Sequence, residues 1–292
     1  MKLGLNLLLH TSNVTERDVH VLENLRDRGY DGVEVPVMEK NPKRFAQLRQ
    51  MISSCGLECT CSTALPGPEA NPISSDVQAR RAGLEYLLHC VDSVAVLGSK
   101  VLCGPTYQAL GVFTGVGPTT DEFRRARDTH QIVADHAANA GISLAIEPLN
   151  RFECHFLNTL GDAASFVEEI GRPNVGILFD TFHANIEEKS LTESLARNVA
   201  AVNHVHLSEN DRGIPGTGHI DFPQVIATLR RGAYKGWIVV EAFSRSLPGL
   251  AAATRIWRDL FESPQEVVHR SAAYFQPLLQ ESRERIALEE NG

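Results

Sequence analysis

Short apolar runs alternate along this chain with longer stretches in which apolar residues recur at helical spacing. The first pair is typical: the apolar run at residues 2–9 is followed by residues 15–28, where Val19, Leu22 and Leu25 share one helix face. The same order recurs to the end of the chain. We therefore predict strands at 2–9, 32–37, 57–62, 100–103, 142–146, 175–179, 202–207 and 237–240, and intervening helices at 15–28, 42–55, 75–97, 119–140, 159–170, 191–198 and 222–231.

This alternation predicts a parallel sheet, because parallel strands need crossover connections that are usually helical. Eight such units close most simply into a barrel, so we predict an α/β fold: one (β/α)8 TIM barrel domain over 1–292. A helical tail, interrupted near Pro264, should extend it from about residue 251 to 292. The competing fold, a doubly wound open sheet, usually carries a glycine-rich loop after its first strand. Here His10-Thr11-Ser12-Asn13 follows instead, which favours the barrel.

Composition excludes several classes of function. The net charge of −8 argues against a nucleic-acid partner, which would call for a basic surface. No apolar window approaches the roughly 20 residues of a membrane span, so no membrane role is expected. Six cysteines are scattered through the chain without a C-x-x-C pair, which is typical of free thiols in a cytoplasmic protein.

The last four predicted strands each deliver a potential ligand to their carboxyl ends: Glu147, Asp180, His206 and Glu241 close the runs LAIE, GILFD, HVH and WIVVE. Burying an unpaired charge costs several kcal/mol or more, so packing alone does not explain this pattern. In a barrel these strand ends meet at one mouth. Three carboxylates and one imidazole suit a divalent metal such as Mn²⁺, Mg²⁺ or Co²⁺, whereas the lack of thiolates argues against structural zinc.

Each of these residues also has a purely structural interpretation. Asp180 could cap a following helix, and a lone Glu241 would more often form a salt bridge. His204 and His206 alternate with period two and so share a strand face, which means that spacing does not decide between them as ligands. His206 lies nearer the strand end. Only the four positions taken together point to a metal site.

Longer motifs surround these positions, and they carry a family resemblance. EPLNRFE runs from Glu147 to Glu153, DTFHANIEE begins at Asp180, HVHL is followed by Asn210-Asp211-Arg212, and Val240-Glu241 comes last. In order and spacing the chain resembles the ketose 3-epimerases, such as D-tagatose and D-allulose 3-epimerase, of the xylose-isomerase-like barrel superfamily. The resemblance is strong over strands five to eight and weak before them.

The resemblance implies a metal-dependent ketose 3-epimerase that interconverts free ketoses, such as D-fructose and D-allulose, D-tagatose or ketopentoses, through an enediolate. It assigns one divalent ion, Mn²⁺ ahead of Mg²⁺ or Co²⁺, to the four strand-end residues, and acid/base catalysis at C3 to Glu147 and Glu241. Glu153, His183 and Arg212 would hold the O1 and O2 end of the sugar. The family also suggests a homodimer or homotetramer.

The loops that would contact the far end of the sugar depart from the family pattern. Relatives often carry aromatic residues after strands one and four. Here Tyr107 and Phe113 are the candidates, and Asn6, His10 and Glu34 could also reach the mouth. These departures keep open a related isomerase or lyase acting on a keto-inositol or 3-keto-glycoside.

The sequence disfavours two further classes of function. An endonuclease IV-like DNA-repair enzyme would need more histidine ligands and a basic surface, so the acidic chain disfavours it. A non-catalytic sugar- or metal-binding barrel would not need both acid/base carboxylates. No basic cradle for a phosphate is evident, which favours a free sugar over a sugar phosphate.

Overall fold

The computed structural model describes residues 1–39 and 41–289, and these form a closed barrel of eight parallel strands in sequence order. The first strand pairs with both the second and the last, which closes the sheet. The predicted (β/α)8 barrel is therefore confirmed. The strands are β1 (Lys2–Asn6), β2 (Gly32–Pro36), β3 (Glu58–Ser62), β4 (Val101–Gly104), β5 (Ser143–Ile146), β6 (Val175–Asp180), β7 (Val202–Leu207) and β8 (Trp237–Val240).

Helices surround the barrel, and no helix among the described residues is both long and apolar enough to cross a bilayer. The predicted helical tail is present, although it begins at Pro248 and its last residues, 290–292, lie outside the described part of the chain. The helices are α1 (Val19–Asp27), α2 (Pro42–Ser54), α3 (Val77–Leu97), α4 (Thr120–Asn139), α5 (Leu160–Ile170), α6 (Thr181–Glu187), α7 (Leu191–Asn198), α8 (Phe222–Arg231), α9 (Pro248–Thr254) and α10 (Pro264–Glu289).

Two predictions of local structure were wrong, and both errors fall at strand ends. The first strand stops at Asn6, whose side chain accepts a hydrogen bond from the Leu8 amide and starts a 3₁₀ turn over Leu7–Leu9. Helix α6 was not predicted at all. It begins directly after β6 because Asp180 caps it, accepting a bond from the Phe182 amide at 2.7 Å.

The two faces of the strands differ in character. One set of alternating residues, including Leu3, Leu5, Val33 and Val35, joins the large apolar core between barrel and helices. The other set points into the barrel, where the apolar contribution is small and comes from Cys103, Ala145 and Leu178. The remaining inward positions are largely polar. The core between strands and helices thus supplies the hydrophobic stabilisation. The barrel interior can therefore hold polar and charged side chains.

The loop after β7 is held by a buried carboxylate. Glu209, which is fully buried, accepts hydrogen bonds from the amides of Gly216 and Ile220 at 2.8 and 3.2 Å. Within this loop Arg212 adopts a left-handed backbone conformation, with φ of 66°. Such a conformation costs a non-glycine residue about 1 kcal/mol or more, so surrounding contacts must enforce it. Glu209 is positioned to do so.

Replacing Glu209 by Ala should therefore lower the free energy of unfolding by about 1–3 kcal/mol, because the amides of Gly216 and Ile220 lose their acceptor. Urea denaturation checks this. Glu193→Ala is the control, since the Glu193 side chain is 73% exposed and its loss should change stability by less than about 0.5 kcal/mol. Equal stability of the two variants would contradict the conclusion that Glu209 stabilises the loop after β7.

Helix α4 buries a histidine, His130, that is not one of the strand-end residues. The Nδ1 of His130 lies 2.8 Å from the Ala126 carbonyl and its Nε2 lies 2.9 Å from the Thr106 hydroxyl, while its ring packs edge-on against Phe166. Burial lowers the pKa of His130 to about 4 from an ordinary value of 6.5. The unfolded chain therefore binds one more proton than the folded chain between these two pH values.

Stability should consequently be full above about pH 6.5 and fall as the pH is lowered towards 4, with His130 contributing a slope of up to about 1.4 kcal/mol per pH unit. His130→Gln should remove that part of the slope, whatever its stability at pH 7.5. Urea midpoints between pH 5 and 7.5, measured with EDTA on both proteins, test this. Parallel curves would show that His130 does not titrate on unfolding.

Candidate active site at the barrel mouth

The four predicted strand-end residues converge at one mouth of the barrel. Glu147 follows β5, Asp180 ends β6, His206 lies on β7 and Glu241 follows β8. All four are buried. One donor atom from each of Glu147, Asp180 and His206 lies within 4.8 Å of the others, an arrangement that could hold a metal ion. The register of β6 and β7, which shifts by one residue near Ile177, brings Asp180 directly opposite His206.

Glu241 joins this cluster through its two carboxylate oxygens. Oε1 lies 3.4 Å from Nδ1 of His206 and accepts a hydrogen bond from the Asn6 amide at 2.9 Å. Oε2 lies 2.6 Å from the Arg212 guanidinium. The structure therefore brings all four predicted ligands together, with Glu241 held between an asparagine and an arginine.

The two histidines of β7 have different surroundings. His206 places Nε2 2.7 Å from one oxygen of Glu34, and its buried Nδ1 has no hydrogen-bond partner among the described residues. His204 places Nε2 2.7 Å from the other oxygen of Glu34, deeper in the barrel. A buried imidazole nitrogen that faces carboxylates and carries a free lone pair is suited to a divalent cation. The residues present thus fit a metal, with His206 rather than His204 facing the cluster.

Asp180 serves both purposes that its sequence position suggested. Oδ1 caps α6 through the Phe182 amide, whereas Oδ2 accepts a hydrogen bond from Arg212 at 2.7 Å. The cap fixes the carboxylate plane, so that Oδ2 is aimed at the mouth. A structural role and a site role are therefore combined in one side chain.

Arg212 is buried at the centre of the mouth rather than exposed on its loop. Its guanidinium carbon lies 4.1 Å from the ring centre of Phe182 and 5.0 Å from that of Phe243. Burial alone would lower the pKa of this guanidinium, but the carboxylates of Asp180 and Glu241 raise it. The two aromatic rings and two carboxylates hold a permanent positive charge in place.

His183 contributes a neutral imidazole to the same centre. Its Nδ1 lies 3.1 Å from the backbone nitrogen of Asn150. Burial, aided by the charge of Arg212, lowers its pKa to about 3. Nε2 lies 2.9 Å from Arg212 Nη2, which can only donate, and 3.6 Å from a Glu147 oxygen. His183 and Arg212 therefore meet at one point of the mouth, beside Glu147.

Glu153 lies at the rim of this centre, in the loop after β5. Its carboxylate accepts a hydrogen bond from the Asn150 amide at 2.8 Å. Burial raises its pKa, although Arg212 and Asn150 partly oppose the shift. Asn150 thus orients both Glu153 and His183, a role that the sequence did not predict.

Glu147 and Glu241 experience opposite electrostatic environments. Burial raises the pKa of Glu147 well above its ordinary value, and the charges of Asp180 and Glu241 add to this effect. Burial also acts on Glu241, but the positive charges of His206 and Arg212 outweigh it and lower the pKa. Paired carboxyl groups whose environments separate their pKa values are typical of acid/base sites.

A cavity of about 110 Å³ opens over these residues. Its deep end is lined by the charged side chains described above, and its outer end is largely apolar. Tyr107 and Phe113 do not belong to this lining: Tyr107 is buried and donates a hydrogen bond to the Glu147 carbonyl, and Phe113 is half exposed. His10 lines a separate cavity. The apolar end consists of Leu8, Met38, Leu110, Phe243 and Leu250.

Glu34 is the one buried acid at this site whose role the sequence left open. It lies on β2 directly beside Asn6 on β1 and Thr60 on β3. Burial alone would raise its pKa, yet His206 and His204 hold that pKa well below the ordinary value. The sequence signal that could have revealed a role for Glu34 is the presence of an acid in the middle of the apolar strand GVEVP.

Comparisons with known proteins agree with this geometry. Residues 22–266 match the model of the family described as xylose isomerase-like TIM barrel. A ketose 3-epimerase of Arthrobacter globiformis is 32% identical, over 96% of this chain and 97% of its own length. A 3-dehydro-D-guloside 4-epimerase of Escherichia coli is 30% identical, over 84% of this chain and 94% of its own.

A crystal structure of D-allulose 3-epimerase from Methylomonas sp. in complex with D-allulose superimposes with a TM-score of 0.88. It is 27% identical in sequence, and the match covers 95% of this chain and 96% of that one. The fold, the site and these relatives agree along nearly the whole chain. The chain belongs to the xylose isomerase-like TIM barrel family and, within it, to the ketose 3-epimerases, which are carbohydrate epimerases.

Proposed function

We propose that this chain is a metal-dependent ketose 3-epimerase that acts on free ketoses, the ketohexoses and ketopentoses. Glu147, Asp180, His206 and Glu241 would hold one divalent cation, Mn²⁺ before Mg²⁺ or Co²⁺. The observation that carries the proposal is the pair Glu147 and Glu241. These two carboxyl groups follow β5 and β8, share one mouth with Asp180 and His206, and have pKa values displaced in opposite directions.

The chemistry of epimerisation beside a ketone requires such a pair. The C3 proton must leave on one face of the sugar and a proton must return on the other, so two acid/base groups are needed. One of the two carboxyl groups would take up the C3 proton in its ionised form while the other returns a proton on the opposite face, and the roles exchange in the reverse direction. When bound, the cation would supply Lewis-acid polarisation of the ketone.

Substrate orientation would come from the polar side chains that meet beside Glu147. The imidazole of His183 and the guanidinium of Arg212 lie 2.9 Å apart, so that one sugar oxygen could contact both. Glu153, fixed by Asn150, would accept a hydrogen bond from a neighbouring hydroxyl. These three side chains support binding of the O1 and O2 end of the sugar, with its remaining carbons towards the apolar outer end of the cavity.

Replacing Glu147 or Glu241 by Gln should lower kcat/KM for D-fructose by about 10²–10⁴-fold, because an amide cannot exchange protons as a carboxyl group does. Both variants should also lose entry of solvent deuterium at C3, measured by NMR on the Mn²⁺-loaded enzyme in D₂O. The control is Glu168→Gln on the exposed face of α5, which should behave as the unaltered chain does. Undiminished deuterium entry in both site variants would refute the two-carboxylate mechanism.

A 3-keto-glycoside is the second candidate substrate, and the relative named 3-dehydro-D-guloside 4-epimerase is the observation in its favour. The ketose 3-epimerase of Arthrobacter globiformis, which is more similar and matches more of the chain, favours the free ketose instead.

A substrate panel distinguishes the two candidates. We expect turnover of D-fructose, D-tagatose or a ketopentose at a kcat/KM at least about tenfold above that of any 3-keto-glycoside, measured on the Mn²⁺-loaded protein. A higher kcat/KM for a 3-keto-glycoside would identify keto-glycosides as the preferred substrates. Binding of Mn²⁺ without turnover of any member would favour the non-catalytic barrel. A homodimer or homotetramer, a cytoplasmic location, a single domain over 1–292 and the lack of a nucleic-acid partner stay predictions.

A further inference from the structure

Beneath the mouth, Glu34 lies at the centre of a network that neither the proposed acid/base chemistry nor the proposed sugar contacts use. The carboxylate is fully buried, and both of its oxygens lie 2.7 Å from a histidine nitrogen: Oε1 from Nε2 of His206 and Oε2 from Nε2 of His204. Oε1 also accepts from the Asn6 amide at 3.1 Å, and Oε2 from the Thr60 hydroxyl at 3.0 Å. Every one of these groups can donate a hydrogen bond to an ionised carboxylate.

This arrangement decides which nitrogen of His206 faces the strand-end carboxylates. A carboxylate without a proton can only accept, so Nε2 of His206 must carry the hydrogen in their 2.7 Å contact. The neutral ring, the form that would bind a cation, then has its lone pair on Nδ1, which lies 3.4 Å from Glu241 and has no hydrogen-bond partner within the described part of the chain. The opposite tautomer would place a hydrogen where a cation needs a lone pair.

The same cluster does not suit a second metal ion, although Glu34, Cys103, His204 and His206 all offer donor atoms within 4.8 Å of one another. Ligands of a tetrahedral zinc ion stand about 2.0–2.3 Å from it and therefore more than about 3 Å from each other. The carboxylate and imidazole contacts are 2.7 Å, which is the length of a direct charge-assisted hydrogen bond.

We propose that Glu34 is a positioning residue for the metal centre: it fixes His206 in the Nε2–H tautomer, holds the ring in place and so presents Nδ1 to the divalent cation. His204 donates a hydrogen bond to the second oxygen of Glu34 and so keeps the carboxylate from rotating. The inference rests on the metal site of the proposed function, but it concerns binding of the ion and is independent of which sugar is used. It also explains why an acid lies in the middle of β2, two strands away from β8 and its strand-end ligand Glu241, with β1 between them.

The first test uses the unaltered protein. Long-range ¹H–¹⁵N spectra of histidine-labelled chain, recorded without metal and with Mg²⁺, report the tautomer of each ring. We expect Nε2 of both His204 and His206 to carry a proton in both states, and a change in the Nδ1 shift of His206 when Mg²⁺ is added. A His206 ring that carries its proton on Nδ1 alone would overturn the proposal, whatever any variant does.

The second test measures Mn²⁺ affinity by EPR titration of the metal-free protein. Glu34→Gln keeps the shape of the side chain but can accept through only one oxygen, so we expect the Kd for Mn²⁺ to rise by about 10–100-fold. Its tautomer spectra should show at least one of the two rings altered. Glu58→Gln is the matched control: Glu58 opens β3 on the exposed rim, where it pairs with Lys2, and its Kd should stay within twofold of the original.

The outcomes separate this inference from the proposed function. A Kd within twofold for folded Glu34→Gln, two Mn²⁺ ions per chain, or no Mn²⁺ binding by the unaltered protein would each overturn it. Glu34-dependent binding of one Mn²⁺ in a protein that turns over no ketose would support it and refute the epimerase. Should Glu34→Gln fail to fold, the tautomer spectra of the unaltered chain decide the question.

Discussion

Burial of negative charge inside the barrel is the constraint on which this structure depends. Glu34, Glu147, Asp180 and Glu241 are all at most 6% exposed, and an isolated buried carboxylate would cost several kcal/mol. Each is compensated differently. Glu34 is surrounded by hydrogen-bond donors, whereas Asp180 and Glu241 share the guanidinium of Arg212. Glu147 is the least compensated, and burial consequently shifts its pKa upward.

This charge balance depends on the separation of the two faces of the strands. The large apolar core lies between strands and helices, so the interior of the barrel contributes little to hydrophobic stabilisation and can hold polar side chains. Arg212 shows what it takes to hold a charged side chain inside the barrel. Its backbone is held in a left-handed conformation, and aromatic rings on two different segments, Phe182 and Phe243, enclose its side chain. The stability of the outer core sustains a centre that is strained and highly charged.

Much of the fold and part of the site could be predicted from local patterns. The apolar runs located all eight strands, and the helical spacing of apolar residues located seven of the helices. Errors occurred where a hydrogen bond from a side chain to the backbone decides where a strand or helix begins or ends. Asn6 begins a 3₁₀ turn and Asp180 begins α6 by binding backbone amides, an effect that hydrophobic periodicity does not reveal. The convergence of strand-end ligands followed from one rule, that parallel strands in a barrel end at the same mouth.

By itself, the sequence determined the repeating strand and helix order, the closure into a barrel, and the positions of the three acids and of a histidine pair near the strand ends, because these depend on local pattern and on chain direction. Only the tertiary structure decided what each side chain touches. Strand register placed Asp180 opposite His206, and packing across the barrel joined Glu34 to both histidines of β7. Those contacts link residues distant in the chain, so no local pattern could distinguish His206 from His204 or show the importance of Glu34.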